Sequence, residues 1–270
     1  MKTEDIKIAV LIDGDNAEAN LIDLILNEAA KFGRVTIKRI YADFTTNQMN
    51  TWKGKLNSYA IKPIQKFSYT KGKNSTDSAL IIDAMDIMHS KLTDGFCIVS
   101  SDSDYTGIAH RIREEGYFVM GIGQSKTPEA FVKACEKFIY TEILITRHKK
   151  DIPTEEKEPA EKKPSIKKQP AVPPVIKVTE APRKIDLTNL ITKMPIDIEM
   201  VDKAFEMVYN DMTGLALANR LAEALKKVDP SFDIRNYGHI SFRKFLEALK
   251  PNYEIVLHED KLTISVKRVK

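Results

Sequence analysis

Residues 8–16 read IAVLIDGDN, an apolar run that ends in Asp13, Asp15 and Asn16. The pattern recurs at residues 96–104, FCIVSSDSD, where the run ends in Asp102 and Asp104. Between them, residues 76–86 read TDSALIIDAMD and carry Asp77, Asp83 and Asp86 at helical spacing. In a parallel sheet the carboxyl ends of the strands share one edge, and ligands bind in the crevice beside it. Several carboxylates gathered there repel one another and raise each other's pKa unless a cation neutralises them. A hard divalent metal held by oxygen ligands is the simplest occupant of such an edge.

Working outward from these segments, residues 6–145 alternate apolar runs with amphipathic stretches. Strands are expected at Ile8–Ile12, Val35–Tyr41, Ile61–Phe67, Phe96–Ser100 and Tyr117–Ile122. Helices are expected at Ala17–Phe32, Trp52–Tyr59, Asp77–Met88 and Tyr105–Glu115. Thr127-Pro128 reads as an N-cap followed by proline in the first turn of a further helix, through about Cys135. Strand and helix in alternation imply βαβ units: a Rossmann-type α/β parallel sheet with helices on both faces.

The chain has 270 residues, enough for one large domain or two modest ones, and 43% of them are hydrophobic, enough for a real core. No stretch approaches the roughly 20 apolar residues that span a bilayer, so no membrane partner is expected. The N-terminal apolar run is short and ends in acids, which does not suit a signal peptide. Cys97 and Cys135 fall in a predicted strand and helix and read as small core residues, so a reducing cytoplasm is the expected location.

Net charge is only +4, but its distribution is uneven. From Phe44 to Thr76 there is no acid, while Lys53, Lys55, Lys62, Lys66, Lys71 and Lys73 interleave with Trp52, Tyr59, Phe67 and Tyr69. Such a segment suits a phosphate backbone with unstacked bases. It equally suits a solvated lysine face over core aromatics. Its position, leading directly into Asp77, favours the first reading.

Residues 151–184 hold seven of the twelve prolines, with no aromatic and no glycine. This composition implies an extended linker. The expected division is therefore a first domain at 1–148, a linker at 149–184 and a second domain at 185–270. In the second domain Asp197 is expected to cap a helix at Ile198–Tyr209, Thr213 to cap another at Leu215–Val228, and a third to cover Ser241–Leu249. Tyr253–Val256 and Leu262–Val266 read as a hairpin, which completes a winged-helix outline.

Asp13 has no comparable structural role available, but the other acids do. Asp15 or Asn16 could cap the first helix, one of Asp102 and Asp104 could cap the next, and Asp77 lies where a helix dipole favours a carboxylate. Asp83 lies nearly two turns beyond Asp77 and could share its broad face, whereas Asp86 reads as solvated. The five histidines are scattered away from the aspartates. Gly121-Ile122-Gly123 follows a late strand and lacks the third glycine of a dinucleotide fingerprint.

IAVLIDGDN, KGKNSTDSALIID (residues 71–83) and SSDSDYTGIAHRIREEGYFVMGIG (residues 100–123) together resemble the NYN domain, the LabA-like branch of the PIN-like nucleases. The resemblance covers roughly residues 6–145. It implies a metal-dependent ribonuclease whose acids are Asp13, Asp77, Asp102 and Asp104, binding Mg²⁺ or Mn²⁺, with Asn16 and Asp83 in support. Ser101 departs from the glycine common before the aspartate pair.

TGLALANRLAEALKKV (residues 213–228) and DPSFDIRNYGHISFRKFLEAL (residues 229–249) resemble the LOTUS, or OST-HTH, domain. That resemblance implies RNA binding, or docking of a helicase or another protein partner; a homodimer is left open. Residues 185–270 hold thirteen Lys/Arg against thirteen Asp/Glu, so RNA binding there needs a local patch. Its candidates are Arg235, Tyr237, His239, Arg243 and Lys244, with core packing an equal role for Tyr237 and His239. In the first domain the RNA candidates are Trp52, Lys53, Lys55, Lys66, Lys71 and Lys73.

The expected activity is a ribonuclease, most simply an endonuclease on single-stranded RNA. Two other readings stand beside it. One is a non-catalytic RNA-binding adaptor. The other is a haloacid-dehalogenase-type phosphatase, whose motif Asp13-Gly14-Asp15-Asn16-Ala17 partly mimics.

Overall fold

In the computed structural model, residues 6–67, 75–150, 193–258 and 263–269 are described. Strand β1, Lys7–Asp13, has only Lys7 exposed, because β1 lies at the centre of a sheet covered on both faces. Its side chains alternate between two layers, as the pleat requires. Ile8, Val10 and Ile12 enter one core and Ala9 and Leu11 the other.

Six parallel strands follow the order β3-β2-β1-β4-β5-β6, with β2 at Arg34–Ala42, β3 at Lys62–Gln65, β4 at Gly95–Val99, β5 at Phe118–Gly123 and β6 at Lys137–Tyr140. The chain runs outward from β1 to β3, then crosses back to place β4 on the other side of β1. The gap between the ends of β1 and β4 is therefore the topological switch point, where ligands bind in open α/β sheets. Helices α1 (Ile22–Ala29) and α2 (Asn50–Ser58) cover one face. Helices α3 (Ser75–His89), α4 (Thr106–Glu114) and α5 (Glu129–Ala134) cover the other. Helix α6, Thr141–Lys150, follows β6 directly.

Several expectations change. The first helix begins as a 3-10 turn at Ala19–Leu21, whose N-cap is Glu18, so neither Asp15 nor Asn16 caps it. Thr127 is not an N-cap either: Pro128 holds that position, and the buried Thr127 hydroxyl donates to the Gln124 carbonyl at 2.6 Å. Strand β6 and helix α6 were not anticipated. Cys97 and Cys135 are both buried and unbridged, as small core residues should be.

The C-terminal unit has its own core around Val201, Leu221, Leu225 and Phe245. Asp197 caps helix α7 (Ile198–Glu206), accepting from the Glu199 amide at 2.9 Å. Leu215–Leu217, expected to open a helix, is instead strand β7, and helix α8 spans only Ala218–Val228. The reason is long-range: β7 pairs antiparallel with β9 (Ile264–Arg268), which also pairs with β8 (Tyr253–Leu257). Ser241 caps helix α9, Phe242–Ala248.

The two units touch along the sheet's β6 edge. The Phe138 amide donates to the Pro230 carbonyl at 3.0 Å, and Lys137 Nζ donates to the Phe232 carbonyl at 2.9 Å. Burial lowers the Lys137 pKa. Arg235 lies 3.2 Å from Glu28, a buried carboxylate on α1. Among the described residues no helix is long and apolar enough to cross a membrane.

Candidate metal centre and nucleic-acid interface

Three chain segments meet at the switch point. Asp13 is the last residue of β1 and is fully buried. Ser100 follows β4 and leads into a 3-10 turn at Ser103–Tyr105, for which Asp102 is the N-cap. Asp77 stands in the first turn of α3. Gly123 at the end of β5 makes the close approach feasible, since a Cβ there would lie 2.4 Å from the Ser100 carbonyl and 2.8 Å from Thr127 Oγ1.

Carboxylate oxygens of Asp77, Asp102 and Asp104 all lie within 4.8 Å of one another. Asp77 and Asp102 are partly buried and Asp104 is exposed, so the cluster opens toward solvent. Burial raises the Asp77 pKa, and the charges of Asp13, Asp102 and Asp104 raise it further, against a lowering hydrogen bond from Tyr105. The phenol of Tyr105 donates to Asp77 Oδ1 at 2.6 Å. Asp102 Oδ1 accepts from the Asp104 amide at 2.9 Å, which fixes the pair on one turn.

Asp13 is not a member of this three-carboxylate group. Its Oδ2 accepts from Asn16 Nδ2 and Ser100 Oγ, each at 2.7 Å, and its Oδ1 from the Asp15 amide at 3.1 Å. Burial raises its pKa, partly offset by these donors. Asn16 therefore supports Asp13 directly. Asp83, expected beside the cluster, is elsewhere: it pairs with Arg39 and accepts from the Tyr41 phenol, both on β2. The direction of α3 explains this, because a helix that presents Asp77 at the sheet edge carries Asp83 back over the sheet. Sequence reasoning missed Ser100 and Tyr105, although both lie inside the motif that it singled out.

The lysine–aromatic segment divides in the same way. Trp52 is 1% exposed and packs in the core, so it offers no ring to a base; it is a packing residue. Lys53 and Lys66 are exposed, and Lys55 lies 5.8 Å from the Tyr59 ring centroid. Phe67, just beyond β3, is 53% exposed. Gln48 Nε2 donates to the Asp15 carbonyl at 3.3 Å, tying the segment to the β1 loop. Lys71 and Lys73 fall outside the described residues.

In the C-terminal unit Tyr237 is 8% exposed and packed in tilted contact with Phe232 and Phe245, so it too is a packing residue. Arg235 is held by Asp233 and Glu28, which raise its pKa. Arg243 and Lys244 are exposed and both pair with Glu247.

The NYN domain family model matches residues 7–144, and the OST-HTH/LOTUS domain model matches residues 187–262. No curated protein matches the chain. A crystal structure of a protein of unknown function from Vibrio parahaemolyticus is similar, at 18% identity and a TM-score of 0.43, covering 51% of this chain and 93% of that one.

Proposed function

We propose that this chain, which belongs to the NYN domain family, is a divalent-metal-dependent ribonuclease acting on single-stranded RNA, with its C-terminal OST-HTH unit as an RNA-binding or partner-docking module. The observation that carries this reading is the convergence of Asp77, Asp102 and Asp104 at the sheet's switch point. Three carboxylates so close, one of them with a raised pKa, form a hard-oxygen donor set of the kind that suits Mg²⁺ or Mn²⁺. When bound, such an ion polarises a phosphodiester and lowers the pKa of an attacking water.

The chain's own residues supply placement. Asp77, Asp102 and Asp104 are the ion's holders, and Asp13 is a buried anchor that adds negative charge behind them. Lys53 and Lys66 offer phosphate contacts, and Phe67 offers a stacking face. Arg243 and Lys244 offer the C-terminal unit's cationic contacts. Asp13, the nucleophile that the phosphatase reading needs, is buried with both oxygens hydrogen-bonded, which favours the nuclease over the phosphatase reading.

The test is cleavage of end-labelled single-stranded RNAs with Mg²⁺, Mn²⁺ or EDTA, beside Asp102→Asn. Cleavage that needs the metal and falls at least about a hundredfold in the variant is expected, the scale of one lost stabilising group. Folded Asp102→Asn cleaving as fast as the parent would refute the reading. Tight RNA binding with no cleavage in either metal would favour the adaptor.

A further inference from the structure

The three carboxylates come from two separate pieces of chain. Asp102 and Asp104 share one turn, already fixed by the bond from the Asp104 amide to Asp102 Oδ1. Asp77 arrives on α3, an independent element, and mutual repulsion favours its moving away. What joins the two pieces is Tyr105. It closes the turn that carries Asp102 and Asp104, and its phenol reaches across to Asp77 Oδ1 at 2.6 Å.

The ring itself cannot swing aside. Tyr105 is fully buried and its centroid lies 6.3 Å from that of Phe131 in the core. A hydroxyl on a ring so fixed sets the position of whatever it bonds. A carboxylate can accept from a phenol and still hold a cation, so the bond does not use up Asp77 as a ligand. Hydrogen-bonded partners of metal ligands characteristically orient them in this way.

We infer that Tyr105 is the positioning residue of this centre: its hydroxyl holds Asp77 against Asp102 and Asp104 and so sets the affinity for the divalent cation. The inference rests on the reading above that the cluster holds such an ion. The Tyr105 hydroxyl itself serves neither as a ligand nor as an acid or base.

The experiment is an Mn²⁺ titration of the EDTA-stripped full chain, with free Mn²⁺ followed by electron paramagnetic resonance, well below each variant's melting midpoint. Four proteins are compared: wild type, Tyr105→Phe, Asp77→Asn and Tyr117→Phe. Tyr117 is the control, because its phenol donates to the Met88 carbonyl at 3.1 Å, outside the acidic cluster. Tyr105→Phe is expected to weaken Mn²⁺ binding about tenfold or more, as loss of a ligand's partner does. Tyr117→Phe is expected to bind as wild type. Wild-type affinity in Tyr105→Phe overturns the inference, as does an equal loss in Tyr117→Phe, which would mark general loosening of the core. Wild type binding no better than Asp77→Asn overturns the metal reading as well, so the two failures are told apart.

Discussion

Ser100 Oγ lies 2.7 Å from Asp13 Oδ2 and also accepts from the Asp102 amide at 3.1 Å, so one buried hydroxyl ties the end of β1 to the acidic turn after β4. A serine hydroxyl both donates and accepts, and both capacities are used here. Ser100→Ala should remove one of three donors to a fully buried carboxylate and free the Asp102 amide. The expected cost is about 1–3 kcal/mol of stability, the usual penalty for an orphaned buried polar group. RNA cleavage should fall further than the melting midpoint alone explains. Urea denaturation run beside cleavage kinetics checks both; an unchanged unfolding curve would show that Asp13 does not need this donor.

The acidic centre should respond to pH in a direction opposite to that of ordinary surface carboxylates. Asp13 and Asp77 both have folded-state values raised above 3.8, each first by burial. Between 3.8 and the raised values the folded protein holds more protons than the unfolded chain. Stability contributed by these groups is thus complete below that window and declines as pH rises through it. Thermal melts in EDTA from about pH 4 to about pH 7 should show this decline, and Asp77→Asn should flatten it. Added Mg²⁺ should reverse the loss at the upper end, because a cation binds the ionised form. A melting midpoint that climbs equally with and without Mg²⁺, in wild type and variant alike, would contradict it.

Trp52 and Phe67 should separate cleanly into packing and binding. Trp52→Ala removes a buried indole and should cost about 3–5 kcal/mol, seen as a lower denaturation midpoint. Phe67→Ala removes a half-exposed ring and should leave that midpoint nearly unchanged. It should weaken binding of single-stranded RNA by about 1–3 kcal/mol, the worth of one base stack. Fluorescence anisotropy with a labelled oligonucleotide distinguishes the two, and equal RNA affinity in Phe67→Ala and wild type would remove Phe67 from the interface.

Arg235 should behave as a clasp between the two units. Its guanidinium bonds Asp233 Oδ2 at 2.6 Å and Glu28 Oε1 at 3.2 Å, and Glu28 is buried on α1. Arg235→Ala should cost about 1.5–3 kcal/mol through its charged hydrogen bonds and should loosen the β6 edge. Hydrogen exchange should quicken at the Phe138 amide, which donates to the Pro230 carbonyl across the same contact. RNA affinity should change little. A large loss of RNA binding with protection at Phe138 intact would place Arg235 in the nucleic-acid interface instead.

Much of the fold follows from local pattern. Lys7–Asp13 and Gly95–Val99 are central strands because their residues are apolar on both faces, and that is visible without coordinates. The same strand endings place Asp13, Asp102 and Asp104 near one edge. Short, partly polar pieces were not legible in this way. Leu215–Leu217 has a helical stripe downstream, yet becomes a strand because residues 265–267 pair with it. Lys137–Tyr140, just past the helix expected to end at about Cys135, is a strand only because the Met120–Gly123 segment supplies its ladder.

The sequence by itself determined that carboxylates end the strands beside a basic, aromatic-bearing segment, because strand burial and charge spacing are properties of neighbouring residues. Tertiary structure alone decided which acids meet. It brought Asp77 to Asp102 and Asp104, set Asp13 behind them and turned Asp83 to Arg39 and Tyr41. It also buried Trp52 and Tyr237, sequestered Arg235, and gave Ser100 and Tyr105 their partners. Those outcomes depend on the direction in which each helix crosses the sheet and on contacts between residues far apart in the chain, which a periodicity read along one segment does not contain.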